Sequence, residues 1–201
     1  MAADPLFDRI MDSARSRLPG AIDTQIYFEA ADVLNEFFRM SNCWREVIAV
    51  NFYDGIVEYE LFTDDMPARV VSLIGVTDAD NIPVWATMVN PNLLTLARDA
   101  TPGLYNISTI LTVANKINDE KYPRFPQWVA DTYGDVIADG IAGRLAAMPA
   151  KPYSSPKHAL FYTQKFKQGA RSAQIEANRQ NLVGGQAWRF PRFAAQNYSR
   201  R

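Results

Sequence analysis

The sequence predicts an α+β fold: an antiparallel-type helical bundle of three to four helices, carrying an inserted antiparallel β region and an extended C-terminal tail. Three observations predict it. Apolar residues recur at three- and four-residue spacings before residue 43 and again after residue 126. Between residues 44 and 115 that period gives way to short β-branched and aromatic runs separated by turn residues. Beyond Gly184-Gly185 the chain carries rings and arginines with no core-forming period. The expected division is therefore 1–43 for the N-terminal helices, 44–115 for the β insertion, 116–183 for a connector and the C-terminal helices, and 184–201 for the tail.

The first helix begins at Asp4-Pro5, where proline suits the first helical position, and LFDRIMDSARSRL runs about three turns to the stop at Pro19-Gly20. From Ile22 to Met40 the residues Ile22, Ile26, Val33, Phe37 and Met40 make an apolar stripe, while Glu29, Asp32 and Glu36 share a polar side. At Trp44 strands begin. REVIAVNFY and IVEYELF flank Asp54-Gly55, RVVSLIGV and PVWATMV flank TDADNI, and LLTLA and NISTILTV flank RDATPG, so three hairpins are expected.

KINDEKYPRFP is a connector, because its two prolines cannot sit inside a helix. The helix starting near Pro126 sorts its residues into rows four apart. Val129, Tyr133, Ile137, Ile141 and Leu145 form a large row, and Ala130, Gly134, Ala138, Ala142 and Ala146 a small one, which predicts close approach of a neighbouring helix and explains Gly134 by that approach. Asp131, Asp135 and Asp139 make a third row, whose like charges repel unless basic groups lie opposite; it reads either as a solvated face or as an intersubunit contact. After MPAKPYSSP, Ser155 caps a long helix that runs to about Leu182. Ala159, Tyr162, Phe166, Ala170, Ala173 and Ala177 form its packing seam, and Lys157, Lys165, Lys167, Arg171 and Arg179 lie mostly away from it.

Composition narrows the function classes. The 201 residues, 48% hydrophobic, can bury a sizeable core, and a formal charge of −1 leaves no global basic field to draw the protein to nucleic acid or an anionic membrane. Cys43 is the sole cysteine, so a reducing compartment is expected and an intramolecular disulfide is excluded. The N-terminus lacks the apolar stretch of a secretory signal, and no window reaches the roughly 18 apolar residues of a membrane helix. A soluble protein with no membrane partner is expected.

No residue set carries catalysis. His158, the only histidine, stands beside Lys157 at a helix start, and Cys43 has no histidine near it in sequence. Asp78, Asp80 and Asn81 mimic the opening of a calcium loop, but Pro83 replaces its glycine and Val89 its closing glutamate, so a hairpin turn is expected. The acid pairs Asp64-Asp65 and Asp119-Glu120 fall in polar connectors. No phosphate loop or metalloprotease motif occurs. The sequence reading therefore assigns no catalytic residue, metal site or cofactor.

The tail is the distinctive feature. Trp188, Phe190, Phe193 and Tyr198 alternate with Arg189, Arg192, Arg200 and Arg201, and no acid follows Glu176. Burying four rings contributes on the order of 6 to 12 kcal/mol, whereas ordering some sixteen residues costs about 1 to 2 kcal/mol each, so one such tail binds weakly. Many tails held in a ring bind durably through effective concentration. Trp188, Arg189, Phe190, Arg192, Phe193 and Tyr198 are the expected partner-binding residues, with the chain's own domain as an alternative docking place.

This ordering of elements, together with YPRFPQWVADTYGDVIADGIAGRLAAMPAKPYSSP and within it FPQWVADTYGDVI and AKPYSSP, resembles the head-to-tail adaptor (connector) family of short-tailed bacteriophages, the tail tubular protein A type. The resemblance spans nearly the whole chain. It implies a non-enzymatic virion protein made in the host cytoplasm and placed in the neck. There a homododecamer ring under the portal protein would join the head to the tail nozzle protein and enclose the DNA channel without sequence-specific binding. The C-terminal segment, here Gln186 to Arg201, is expected to grip the portal or a neighbouring subunit. In such a ring the row Asp131, Asp135 and Asp139 of one copy could meet Lys165 and Arg171 of the next. Two other classes stay open: a nucleic-acid-binding accessory protein using the basic aromatic tail, and an enzyme whose site lies near His158 or in the β insertion.

Overall fold

A computed structural model of the chain describes residues 5–61, 68–96, 101–113 and 124–180, and shows a mixed α+β architecture with antiparallel sheets. Helix α1 (Pro5–Arg17) turns Phe7, Ile10, Met11 and Ala14 inward at helical spacing and stops at Gly20, whose φ of +92° reverses the chain. Helix α2 (Asp23–Ser41) buries Ile26, Ala30, Val33, Leu34, Phe37 and Phe38, a stripe wider than the expected one; Ile22 lies outside it and is exposed. Asn42 ends the helix in the left-handed region, its N–H bonding the Phe38 carbonyl at 2.9 Å.

Seven strands follow: β1 (Arg45–Phe52), β2 (Glu58–Glu60), β3 (Ala68–Asp78), β4 (Pro83–Val84), β5 (Ala86–Asn90), β6 (Leu93–Leu96) and β7 (Gly103–Val113). They form two antiparallel sheets, β1-β7-β3-β4 and β2-β6-β5. Of the three expected hairpins only the middle one pairs its flanking strands, Val76 with Val84 and Thr77 with Pro83. The turn at Asp54-Gly55 forms, with Gly55 at φ +77°, yet β1 pairs with β7 over its whole length and β2 crosses to β6. Length decides this: β2 offers three residues, whereas β7 registers eight against β1. The ring of Phe52 closes the joint, stacked on Tyr105 at 4.3 Å and lying 4.5 Å from Tyr59.

The segment read as PVWATMV divides at Trp85, leaving β4 in the first sheet and β5 in the second. Strand β5 then pairs with β6 through a turn around Asn92, φ +68°, that sequence reading missed. Asn92 also ties the sheets together, accepting the Val70 N–H on its side chain and the Leu61 N–H on its carbonyl, both at 2.7 Å. The expected pairing across RDATPG does not occur, because β6 is taken by β2 and β5, and β7 by β1 and β3.

Helix α3 (Gln127–Ala146) is the hub of the helical layer, packing against α1, α2 and the long α4 (Pro156–Gln180). The helices are not a simple bundle with a separate insert, since β7 lies against α2 and one continuous core joins helical and strand residues. Trp44 packs its ring 5.2 Å from Phe38, and Thr112 of β7 donates its hydroxyl to the Asn35 side chain of α2 at 2.7 Å. Both rows of α3 face inward as expected: Val129, Ile137, Ile141 and Leu145 are buried, as are Ala130, Ala138, Ala142 and Ala146.

The closest approaches, however, are not at Gly134, where an added Cβ would meet Ile10 at an ordinary 3.6 Å. An added Cβ would be crowded at Gly140, 2.6 Å from Val33 and 2.7 Å from the Phe166 ring, at Gly143, 2.9 Å from the Thr163 backbone nitrogen, and at Gly169 of α4, 2.6 Å from Val136. Helix α4 starts on its predicted cap, the Ser155 hydroxyl accepting the His158 N–H at 3.4 Å, and its seam buries Phe166, Ala170, Ala173 and Ala177. The tail, including Trp188, Arg189, Phe190, Arg192, Phe193 and Tyr198, lies outside the described residues.

Candidate interaction surfaces

The acidic row of α3 meets its basic partners inside the chain. Arg9 of α1 lies 3.5 Å from Asp131, and Arg17 bridges Asp135 at 3.1 Å and Asp139 at 2.7 Å, because those two acids stand one turn apart on the same side of α3. Burial works against the Arg17 charge, but Asp139 and Asp135 outweigh it and raise its pKa. Asp135 is held below the ordinary carboxylate value by the Ser13 hydroxyl, at 2.9 Å, and then by Arg17. Asp139 is buried, and its second oxygen faces Lys165 at 3.7 Å. The expected Lys165 contact with this row thus forms within one copy. Arg171 is exposed and makes no ion pair among the described residues.

The polar side of α2 is organised the same way. Arg144 of α3 reaches Glu36 at 2.8 Å and both Glu29 and Asp32 at 3.5 Å, so three carboxylates close on one guanidinium beside a groove of about 410 Å³. This clasp fixes α2 to α3. No group of three metal-ligating side chains gathers among the described residues.

A second cleft, about 270 Å³, opens between Cys43, Arg45, Trp128, Thr132, Tyr133 and Glu176. Its groups are already engaged: the Tyr133 hydroxyl donates to Glu176 at 2.7 Å, and Arg45 donates to the Asn178 side chain at 2.8 Å. Burial pushes the Tyr133 hydroxyl pKa up, and Glu176 adds to the rise. Burial also raises the Cys43 thiol, which receives the Ser41 hydroxyl at 3.1 Å. His158 is far from this cleft in the α4 sequence, exposed at the first turn with its ring 6.3 Å from Tyr162. The Asp78 carboxylate accepts the Asp80 and Ile82 N–H groups at 2.9 and 2.8 Å, which is the expected hairpin turn.

No protein-family model matches this chain, and no curated protein matches it.

Large apolar side chains stand exposed on α2 (Phe28) and α3 (Trp128) and, in greater number, on the β layer and α4. Trp85, at the crossing between the sheets, is 88% exposed, and Tyr53, Ile56, Val57, Ile82, Val89 and Leu104 are also exposed in the β layer. On α4, Leu160, Phe161 and Ile175 point away from the buried seam. Sequence reading placed the basic residues of α4 on this side but missed the apolar ones among them. The signal was present, since Phe161 and Ile175 fall two whole heptads apart. Among the described residues, no helix is long and apolar enough to cross a membrane.

Proposed function

We propose that this protein is a structural head-to-tail adaptor of a tailed bacteriophage. In this reading, copies form a ring under the portal that joins the head to the tail nozzle and surrounds the DNA channel. The helices and the sheets share one continuous core, so each copy would enter the ring as a single unit. The resemblance carried by FPQWVADTYGDVI and AKPYSSP supports the reading. The observation in the fold that carries it is the number of large apolar side chains left exposed, most of them on the β layer and on α4. A particle component covers such faces with its neighbours. The protein acts by adhesion in this reading, with no bond made or broken.

The test is deletion of residues 186–201. The truncated chain should fold, as read by an unchanged melting transition, and should no longer add to portal-containing heads. Normal attachment by the truncated chain, seen by electron microscopy of the particles, overturns the role given to the tail. A symmetric annulus of the full chain on the portal is the expected image.

A further inference from the structure

We infer that the outward face of α4 in one copy docks on the acidic outer face of the β2-β6-β5 sheet in a second copy. This deepens the ring reading and rests on it for its occupant, a second copy of the chain.

Unpaired charge is left over on two surfaces. The acids of α2 and α3 are all engaged by arginines or lysine of the same chain, so the acidic row of α3 is not available as a partner surface. On α4, Lys157, Lys167, Arg171 and Arg179 make no ion pair among the described residues. At 100° per residue, Lys157, Phe161, Arg171, Ile175 and Arg179 all lie on the side of α4 opposite its buried seam, a face with no acid. Glu176, the one acid of this helix, stands to the side and is held by Tyr133.

The β layer has the opposite excess. Glu58 and Glu60 flank Tyr59 on β2, so both point to the face away from the inward row of Tyr59, Leu94 and Met88. Asp54 lies in the preceding turn. None of the three makes an ion pair among the described residues. Exposed Ile56 precedes β2, and exposed Val89 sits at the bulge of β5 in the same sheet. Each face thus offers apolar side chains within a field of one sign, and the two fields are opposite.

Charge also disfavours the symmetric alternatives. Placing α4 on α4 sets cations against cations, and placing sheet on sheet sets Glu58 and Glu60 against their own copies. Only the mixed contact is attractive. It is head-to-tail, so a joined pair keeps one free face of each kind and successive copies close into a ring or run on as a filament.

Two full-length charge-reversed chains test this: Glu58→Lys with Glu60→Lys, and Lys157→Glu with Arg171→Glu. Sedimentation velocity at low ionic strength should show the parent chain associating and each variant alone sedimenting as a monomer. Their equimolar mixture should associate again, because each reversed face meets a complementary one; this restoration also shows that both variants are folded. Variants that associate like the parent, a mixture that stays monomeric, or a parent that is monomeric at every concentration would each overturn the inference. So would association that persists in both variants and is lost only on removing residues 181–201, which would make the tail the occupant. Duplex DNA bound by the parent, and lost only in the α4 variant while self-association persists, would assign that face to nucleic acid instead and overturn the inference. Attachment to portal-containing heads is read separately. Restored association without head attachment sinks the adaptor reading alone, and head attachment by two variants that never associate sinks this inference alone.

Discussion

Arg17 of α1 donates to Asp139 of α3 across 2.7 Å, with 18% of the arginine side chain and 9% of the aspartate side chain exposed. That pair is the hinge pin between the first helix and the hub. Removing the arginine leaves a buried carboxylate whose remaining cation, Lys165, stands 3.7 Å away on a half-exposed side chain. Breaking a buried pair typically costs about 3 to 5 kcal/mol, and Lys165 offsets part of this, so Arg17→Leu should lose roughly 2 to 4 kcal/mol. Urea unfolding measures it. A midpoint within error of the parent would mean that the pair contributes nothing.

Two glycines of the same helix should respond oppositely to alanine. At Gly134 the new methyl meets Ile10 at an ordinary distance, and helix propensity alone should stabilise the chain by up to about 1 kcal/mol. At Gly143 the methyl would press on the backbone of Thr163, which cannot rotate away, so α3 and α4 must separate at a cost of about 1 to 3 kcal/mol. Thermal melts of the two variants should shift in opposite directions.

Acid should loosen the contact between α1 and α3. The pKa of Asp135 in the folded chain is lowered by Ser13 and Arg17, so the folded state holds its proton less tightly than the unfolded state does. Its contribution is therefore present above the ordinary carboxylate value, near 3.8, and is lost as pH falls through the lower folded value. The side chain is largely exposed, so the effect is small. Asp135→Asn should flatten the acid limb of the stability curve below about pH 4 and leave its slope near neutrality unchanged. An equally steep acid limb in the variant would contradict the assignment.

Cys43 should react slowly. Its thiol is raised by burial, so at pH 8 the thiolate fraction is smaller than that of an exposed cysteine. A disulfide reagent should modify the folded protein several-fold more slowly than the urea-unfolded chain, with the folded rate still climbing above pH 9. Equal rates in the two states would show that the thiol is open to solvent.

Much of the helical layer was legible because helix periodicity is local. The start of α1 at Pro5, the inward rows of α3 and the Ser155 cap each depend on residues within a few positions of one another. Strand pairing is a competition among distant segments. Nothing near Asp54-Gly55 announces that β7, about fifty residues on, will take β1 from β2. The same limit hid the site. Asp131, Asp135 and Asp139 announce a need for cations, but Arg9 and Arg17 lie more than a hundred residues earlier. Gly134 looked like the point of closest packing because it interrupts a row of alanines, while the crowding falls on Gly140 and Gly143.

By itself, then, the sequence determined the α+β class, the places of the helices along the chain, the seam of α4 and the turn at Asp78. The tertiary structure decided which strand joins which sheet, which glycines touch, and which charges remain to face a partner. The physical reason is range. Backbone geometry and side-chain periodicity are set within about one or two helical turns, whereas a salt bridge or a sheet register depends on segments that folding alone brings together.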